Sequence, residues 1–453
     1  MKDIKAKFRR MLEPARFAPS SIITRPSTDP RTPFESDYSR VLLSAPVRRL
    51  QDKAQVFPLA DNDYVRTRLT HSLEVSRFAK DMGRGIEEIL GRQDMLSYTV
   101  YKDRWISSIL ETVGLIHDIG NPPFGHATER CIQDFFRNLL QSNDAPEAAK
   151  AAYKSLTPRQ RRDFEFFDGN VQGFRILRHL GILPFNLTMP TLSTIIKYPY
   201  DSFTGNLPKG QAINHMQEKY GYYDNDVDDY VRICDTLGLK QGQRHPLTFV
   251  LEAADDIAYQ VCDIEDGAKV GNFTISKVQE TFKKYGCEDW LNYNMHDISK
   301  GEKYMYKLRI SMQSQMLNAC VEEFIHGFED IVEGKYTKEL LSASKMGQYK
   351  PIFKELDKLN FQSESAHKKE EEGVNAISYL LQYYVNVLFL DEHLDPHTFI
   401  MDEFSENYWK AACAEGQDVP TNPYQKFMLI TDYISGMTDS YALQTYKELM
   451  AGK

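Results

Sequence analysis

Residues 105–129, WISSILETVGLIHDIGNPPFGHATE, decide the fold. Apolar side chains recur there at helical spacing as far as Ile116, after which Gly120, Asn121, Pro122, Pro123 and Gly125 break the pattern into a loop. The spacing predicts a helix that ends on the adjacent pair His117 and Asp118. The same period returns in 39–56 (SRVLLSAPVRRLQDKAQV), 71–90 (HSLEVSRFAKDMGRGIEEIL), 171–183 (VQGFRILRHLGIL), 246–269 (PLTFVLEAADDIAYQVCDIEDGAK) and 435–450 (SGMTDSYALQTYKELM), each with an apolar stripe. Strand signals are scarce, so the chain reads as all-α. The coarsest division is a catalytic helical core over residues 37–290 with a helical C-terminal portion over 291–453 packed on it. Residues 1–36, rich in Pro, Ser and Arg, read as an extended N-terminal arm with little regular structure. Polar runs near 141–165 and 361–373 (FQSESAHKKEEEG) read as solvated loops or insertions.

Composition limits the function. A formal charge of -9 and a pI near 5.7 exclude wholesale attraction to nucleic acid or anionic lipid, so an anionic substrate must be met by a local cluster of cations. The six cysteines show no CxxC pair and no framework spacing, which fits a reducing, cytoplasmic compartment and argues against structural zinc. No segment approaches the roughly 20 apolar residues that span a bilayer, and no membrane partner is expected.

The chemistry concentrates on four residues. His117 and Asp118 offer an imidazole nitrogen and a carboxylate oxygen at a helix end, a pair suited to a divalent ion but too few to hold it. His71 opens an amphipathic helix, and Asp255 lies in an otherwise apolar one, where an unpaired carboxylate is costly and a metal compensates it. A site built from His71, His117, Asp118 and Asp255 leaves coordination positions for water and phosphate oxygens, which marks it as catalytic rather than structural. A single Mg²⁺ or Mn²⁺ is expected, with Co, Ni, Fe or Zn compatible. Asp255, Tyr259 and Asp263 follow at i, i+4 and i+8, so one helical stripe carries a ligand, an aromatic hydroxyl and a second carboxylate. Asp256, next door, points off that stripe. His126 has the chemistry for proton transfer near neutral pH, and Glu129, three residues on, shares its face. Without further context His126 reads better as a helix-capping or core-satisfying histidine, and Glu129 as a first-turn helix acid.

The order H…HD…D resembles that of the HD-domain phosphohydrolases. The longer motifs at 48–75 (RRLQDKAQVFPLADNDYVRTRLTHSLEV), GLIHDIGNPPFGHATE, FDGNVQGFRIL, LEAADDIAYQVCDIEDG and DYISGMTDSYAL resemble, in order, those of bacterial deoxyguanosine triphosphate triphosphohydrolases. At FDGN the family usually carries EGN, so Asp168 shortens a carboxylate. The resemblance implies an HD-domain core that hydrolyses dGTP, or other deoxynucleoside triphosphates, at the α-phosphate to the deoxynucleoside and inorganic triphosphate. It assigns His126 and Glu129 to catalysis and Tyr259 to packing on the sugar. Asp263 and Gln55 would meet the 3′ hydroxyl, with Val56 as an apolar wall. Arg68, Lys197, Tyr198 and Lys219 lie in segments that resemble phosphate-contacting ones. It also implies a homo-oligomer, hexamer or tetramer, and single-stranded DNA as a potential effector. Two other readings compete. One is an HD phosphodiesterase or nucleotidase, against which stand the 255–259–263 stripe and the lack of a second HD-like pair among the remaining histidines. The other is a nucleotide-sensing regulatory protein that binds single-stranded DNA through KFRR (7–10) or RQRR (159–162), which the acidic net charge opposes.

Overall fold

The computed structural model describes residues 2–18, 28–56, 65–180, 185–208, 215–296, 298, 301–360, 364–390, 400, 402–413, 417 and 419–452. Among these no strand forms; isolated bridges such as Ala54 with Thr67 are the nearest approach. The helices that frame the site are α1 (Lys2–Met11), α2 (Pro33–Leu42), α3 (Arg68–Arg92), α4 (Trp105–Ile116), α5 (His126–Asn138), α6 (Gly169–His179), α7 (Met189–Ile195), α8 (Pro246–Lys269), α9 (Glu302–His326), α10 (Lys350–Asn360), α11 (Glu364–Leu390), α12 (Pro423–Gly436) and α13 (Asp439–Met450). None of the described helices is long and apolar enough to cross a membrane.

At the centre, α3 packs along α4 and against α8. Thr67 caps α3 in a reciprocal box with Thr70, which starts the helix at Arg68, three residues before His71. The α3–α4 crossing is close because Gly114 faces the backbone of Ser76; a Cβ there would lie 2.5 Å from the Ser76 Cα. Arg66, just ahead of α3, ties it to the far end of α8 through Glu265 at 3.1 Å and Asp266, and reaches Glu74 at 2.9 Å. Beyond α8 the apolar core runs on without interruption into α9 and α10, and α11 packs on α5, α12 and α13. The proposed division near residue 290 therefore crosses one continuous core.

Three expectations need correction. Part of the N-terminal arm is regular: α1 buries Ile4, Phe8 and Met11, spaced four and three apart, and α2 begins at Pro33 behind a Thr32 cap. The run at 141–165 contains helices Glu147–Ser155 and Pro158–Glu165, the second announced by Thr157 and Gln160, which form a capping box around Pro158. The charges of KKEEEG belong to the first turns of α11. Ala376, Ile377, Leu380, Leu381 and Tyr384 then bury its other face, so the charge marks a solvated side and not a loop. Residues 361–363 of that run lie outside the described residues.

Candidate metal and phosphate site

The chain turns after α4 because Gly120 lies against α6: a Cβ on it would come within 2.1 Å of both the Gly169 carbonyl and the Gly173 nitrogen. That contact holds the end of α4 and the start of α6 at one point. His117 is buried there, and its Nδ1 sits 2.8 Å from the Gly114 carbonyl. Donation to that carbonyl leaves the Nε2 lone pair facing outward. His71 from α3 and Asp255 from α8 meet it: Asp255 Oδ1 is 3.2 Å from His71 Nε2 and 3.3 Å from His117 Nε2. His71, His117 and Asp118 each present a ligand atom within 4.8 Å of one another.

The donor set fits a divalent metal. His117 Nε2 is buried and has no hydrogen-bond partner, as expected of a nitrogen reserved for a cation. Burial would raise the Asp255 carboxyl, but Lys197 at 2.8 Å and His117 hold it well below the usual carboxylate range. Burial likewise opposes ionisation of Asp118, and His117 and Arg68 overcome it. Its two oxygens are already oriented, one by Arg68 Nη1 at 2.6 Å and the other by Asn121 Nδ2 at 2.6 Å. Asn121 was not anticipated. Its place three residues after Asp118 was the available signal. A second grouping, His179 with Asp226 and Asp229, is tied up in ion pairs, His179 with Asp226 at 2.6 Å and Arg178 with Asp229 at 2.6 Å, although Asp226 Oδ2 is buried without a hydrogen-bond partner.

A cleft of about 550 Å³ opens over this cluster. Gln55, Val56, Arg68, Asp118, His126, Lys197, Tyr198, Lys219, Asp255 and Tyr259 line it, together with Asn121, Phe124, Arg130, Asn170, Asn360 and Glu370. His71 and His117 are buried behind that wall. His126 begins α5 with its side chain exposed, while Glu129 is buried beneath it. One Glu129 oxygen accepts from His126 Nδ1 at 2.6 Å and the other from the Gly169 N–H at 2.7 Å, so the carboxylate aims the imidazole from a fixed base. That hydrogen bond and charge raise the His126 pKa above its ordinary value. Lys219 pairs with Asp168 at 2.9 Å, and Asp168 also caps α6 through the Asn170 N–H at 2.8 Å. The shortened carboxylate is thus an N-cap that steadies a cleft lysine.

Tyr259 reaches the cleft wall, whereas Asp263, one turn further along α8, is buried outside the lining with one carboxylate oxygen lacking a partner. Gln55 Oε1 is buried in the wall and lacks a partner as well. Asp256 sits at the rim, paired with Lys350 at 3.1 Å; burial raises its carboxyl to about 6 despite that lysine. Lys53, a residue with no sequence signal, is buried and donates to the carbonyls of Asn121 at 2.6 Å and Ser435 at 2.7 Å.

The chain matches the HD domain over residues 68–258, which contain all four proposed ligands, and a phosphohydrolase-associated domain over 358–448. A deoxyguanosinetriphosphate triphosphohydrolase-like protein of Listeria monocytogenes is 33% identical over 98% of this chain and 99% of its own length. The chain belongs to the HD-domain deoxyguanosinetriphosphate triphosphohydrolase family. A family member from Synechocystis, also named as triphosphohydrolase-like, is 32% identical over 92% of this chain and 94% of its own. The deoxyguanosinetriphosphate triphosphohydrolase of Salmonella typhimurium is 29% identical over 92% and 93%. The family's associated domain falls on α11, α12 and most of α13; α11 packs on α5 and α12 on α6, the helices whose starts border the cleft, and α13 packs on α11.

Proposed function

We propose that this protein hydrolyses deoxynucleoside triphosphates, dGTP foremost, at the α-phosphate, releasing the deoxynucleoside and intact inorganic triphosphate. The observation that carries the reading is one cleft that combines a two-histidine, two-aspartate cluster, four basic side chains (Arg68, Arg130, Lys197 and Lys219) and a tyrosine on the helix that supplies Asp255. His71, His117, Asp118 and Asp255 would hold one Mg²⁺ or Mn²⁺, which supplies charge neutralisation at phosphorus and a more acidic water. Arg68 and Lys197 stand beside the cluster, each already paired to a ligand aspartate, and Lys219 lines the same cleft. Together they meet the negative charge of a triphosphate.

His126, oriented by Glu129, transfers the proton that the leaving 5′ oxygen needs. Pairing with Glu129 raises the His126 pKa and so favours the protonated form that an acid needs. Tyr259 lies flush with the sugar and leaves no room for a 2′ hydroxyl, Val56 forms an apolar wall, and Gln55, with its unpaired oxygen, receives the 3′ hydroxyl. The Asp263 carbonyl accepts from Asn360 Nδ2 at 3.0 Å, and Asn360 lines the cleft.

Incubation with each deoxynucleoside triphosphate and Mg²⁺ or Mn²⁺, with products resolved by ion exchange, tests the reading. Equimolar deoxynucleoside and triphosphate is the expected result; pyrophosphate or orthophosphate as the first product rules it out. The proposal extends to a cytoplasmic homo-oligomer, hexamer or tetramer, with single-stranded DNA as effector. Exposed Leu43, Tyr98, Tyr293 and Tyr306 are surfaces compatible with assembly. Light scattering and turnover with and without a DNA oligonucleotide check these points.

A further inference from the structure

The wall of the cleft that faces a sugar is made by a helix of the core but held from the C-terminal portion. Tyr259 projects from α8 into the cleft, and its hydroxyl donates to Asp357 on α10, 98 residues away. Burial and that hydrogen bond keep the phenol in its protonated, donating form. Asp357 does not line the cleft. It acts from behind the ring, with its second carboxylate oxygen buried and unpartnered. Its own position is fixed. Ile352, Phe353 and Leu356 bury α10 in the core, and Asn360 Nδ2 donates to the Asp263 carbonyl at 3.0 Å, which locks the register of α10 along α8.

A tyrosine ring has two side-chain torsions, and packing on one face alone leaves the second free to swing the ring. Steric exclusion of a single hydroxyl needs the ring held to within a fraction of an ångström, which a hydrogen bond at its far end supplies. We infer that Asp357 is a positioning residue for sugar selection: by anchoring the Tyr259 hydroxyl it sets the preference for deoxyribonucleotides over ribonucleotides. This rests on the proposed reaction. It adds a residue outside the HD-domain match, which ends at 258, and outside the 255–259–263 stripe.

The test is kcat/KM for dGTP and GTP in the full-length protein with Mn²⁺, for wild type, Asp357→Ala, Asp357→Asn, Tyr259→Phe and the double variant Tyr259→Phe/Asp357→Ala. Loss of the anchor in Asp357→Ala should lower the dGTP/GTP ratio by about tenfold or more, whereas Asp357→Asn, whose amide oxygen accepts the same hydrogen bond, should stay within about threefold of wild type. Tyr259→Phe should reproduce the loss, and the double variant should add nothing to it, because both changes remove one interaction. A merely structural Asp357 lowers kcat for both nucleotides together and leaves the ratio intact, which overturns the inference. An unchanged ratio in Tyr259→Phe overturns it even where Asp357→Ala does not fold. Failure of the underlying reading looks different: wild type itself then releases no triphosphate from any deoxynucleotide.

Discussion

His126 and Glu129 show how a single contact sets reactivity. The imidazole is exposed to the cleft, yet the 2.6 Å bond to Glu129 and the charge behind it raise its pKa above the ordinary histidine value of 6.5. A group that works as the protonated acid loses activity as pH rises through its pKa. The alkaline limb of the kcat profile should therefore lie above pH 6.5 and move to lower pH in Glu129→Gln, which keeps the shape and removes the charge. A limb that does not move under that substitution sinks the assignment. His126→Ala should cost about 10²–10⁴-fold in kcat with Mn²⁺ affinity retained, as read by calorimetry beside turnover. At this scale much was legible. His117 and Asp118 announce themselves because the break after Ile116 is local, and Asp255 because a carboxylate stands in an apolar helix. Lys53 and Asp357 were not legible: in sequence each is an ordinary charged residue in a polar run, and its role exists only once distant helices meet it.

Elements, in turn, are tied together at the site. The proposed ligands come from α3, from the end of α4 and from α8, so an ion there cross-links three helices at one point. Mn²⁺ at a hundred times its dissociation constant should raise the unfolding free energy by about 2.7 kcal/mol in denaturant titrations. A chelator should reverse the gain and His117→Ala should abolish it; equal stability with and without metal rules the cluster out as a binding site. The loop between α4 and α5 is held from a different direction. Asp439, in the first turn of α13, accepts the N–H groups of Ala54 and Phe124, both at 3.0 Å, and so caps two segments that border the cleft. Asp439→Ala leaves the buried Phe124 N–H unpaired, at about 1–3 kcal/mol, and the half-buried Ala54 N–H without its partner, and should lower kcat along with stability because the Asn121–Gly125 turn loosens. Unchanged turnover at full occupancy would separate the cap from the chemistry. The helices at 71–90, 105–116 and 246–269 were readable from apolar spacing alone, whereas the stretch 39–56 breaks after Leu42 and after Asp52, and 435–450 breaks between Gly436 and Asp439. Those at 147–165 and the start of α11 were missed because their exposed faces are dense in charge, and charge clusters mimic loops when the buried partner face is not yet known.

Across the whole molecule, the C-terminal portion completes the catalytic core instead of following it. Arg175 of α6 is buried against Asp432 of α12 at 2.7 Å, with side-chain exposures of 3% and 2%, and Gln172 adds a bond to the same carboxylate at 2.8 Å. Burial would depress the guanidinium pKa, and Asp432 more than restores it. Removing the carboxylate strands a cation in the core, a loss of about 3–5 kcal/mol, comparable with much of a domain's total stability. Lys53 depends on the Ser435 carbonyl in the same way, and α5 buries one face against α11. A fragment of residues 1–290 should therefore fail to form an independent core even though it carries every proposed ligand. Asp432→Asn in the full chain should unfold at markedly lower denaturant than wild type while keeping its helical signal in buffer. Far-UV dichroism, thermal melting and Mn²⁺ calorimetry on the fragment decide the matter: a cooperative transition with wild-type metal affinity would show that residues 1–290 stand alone, whereas a non-cooperative melt without metal binding makes the catalytic unit the whole chain.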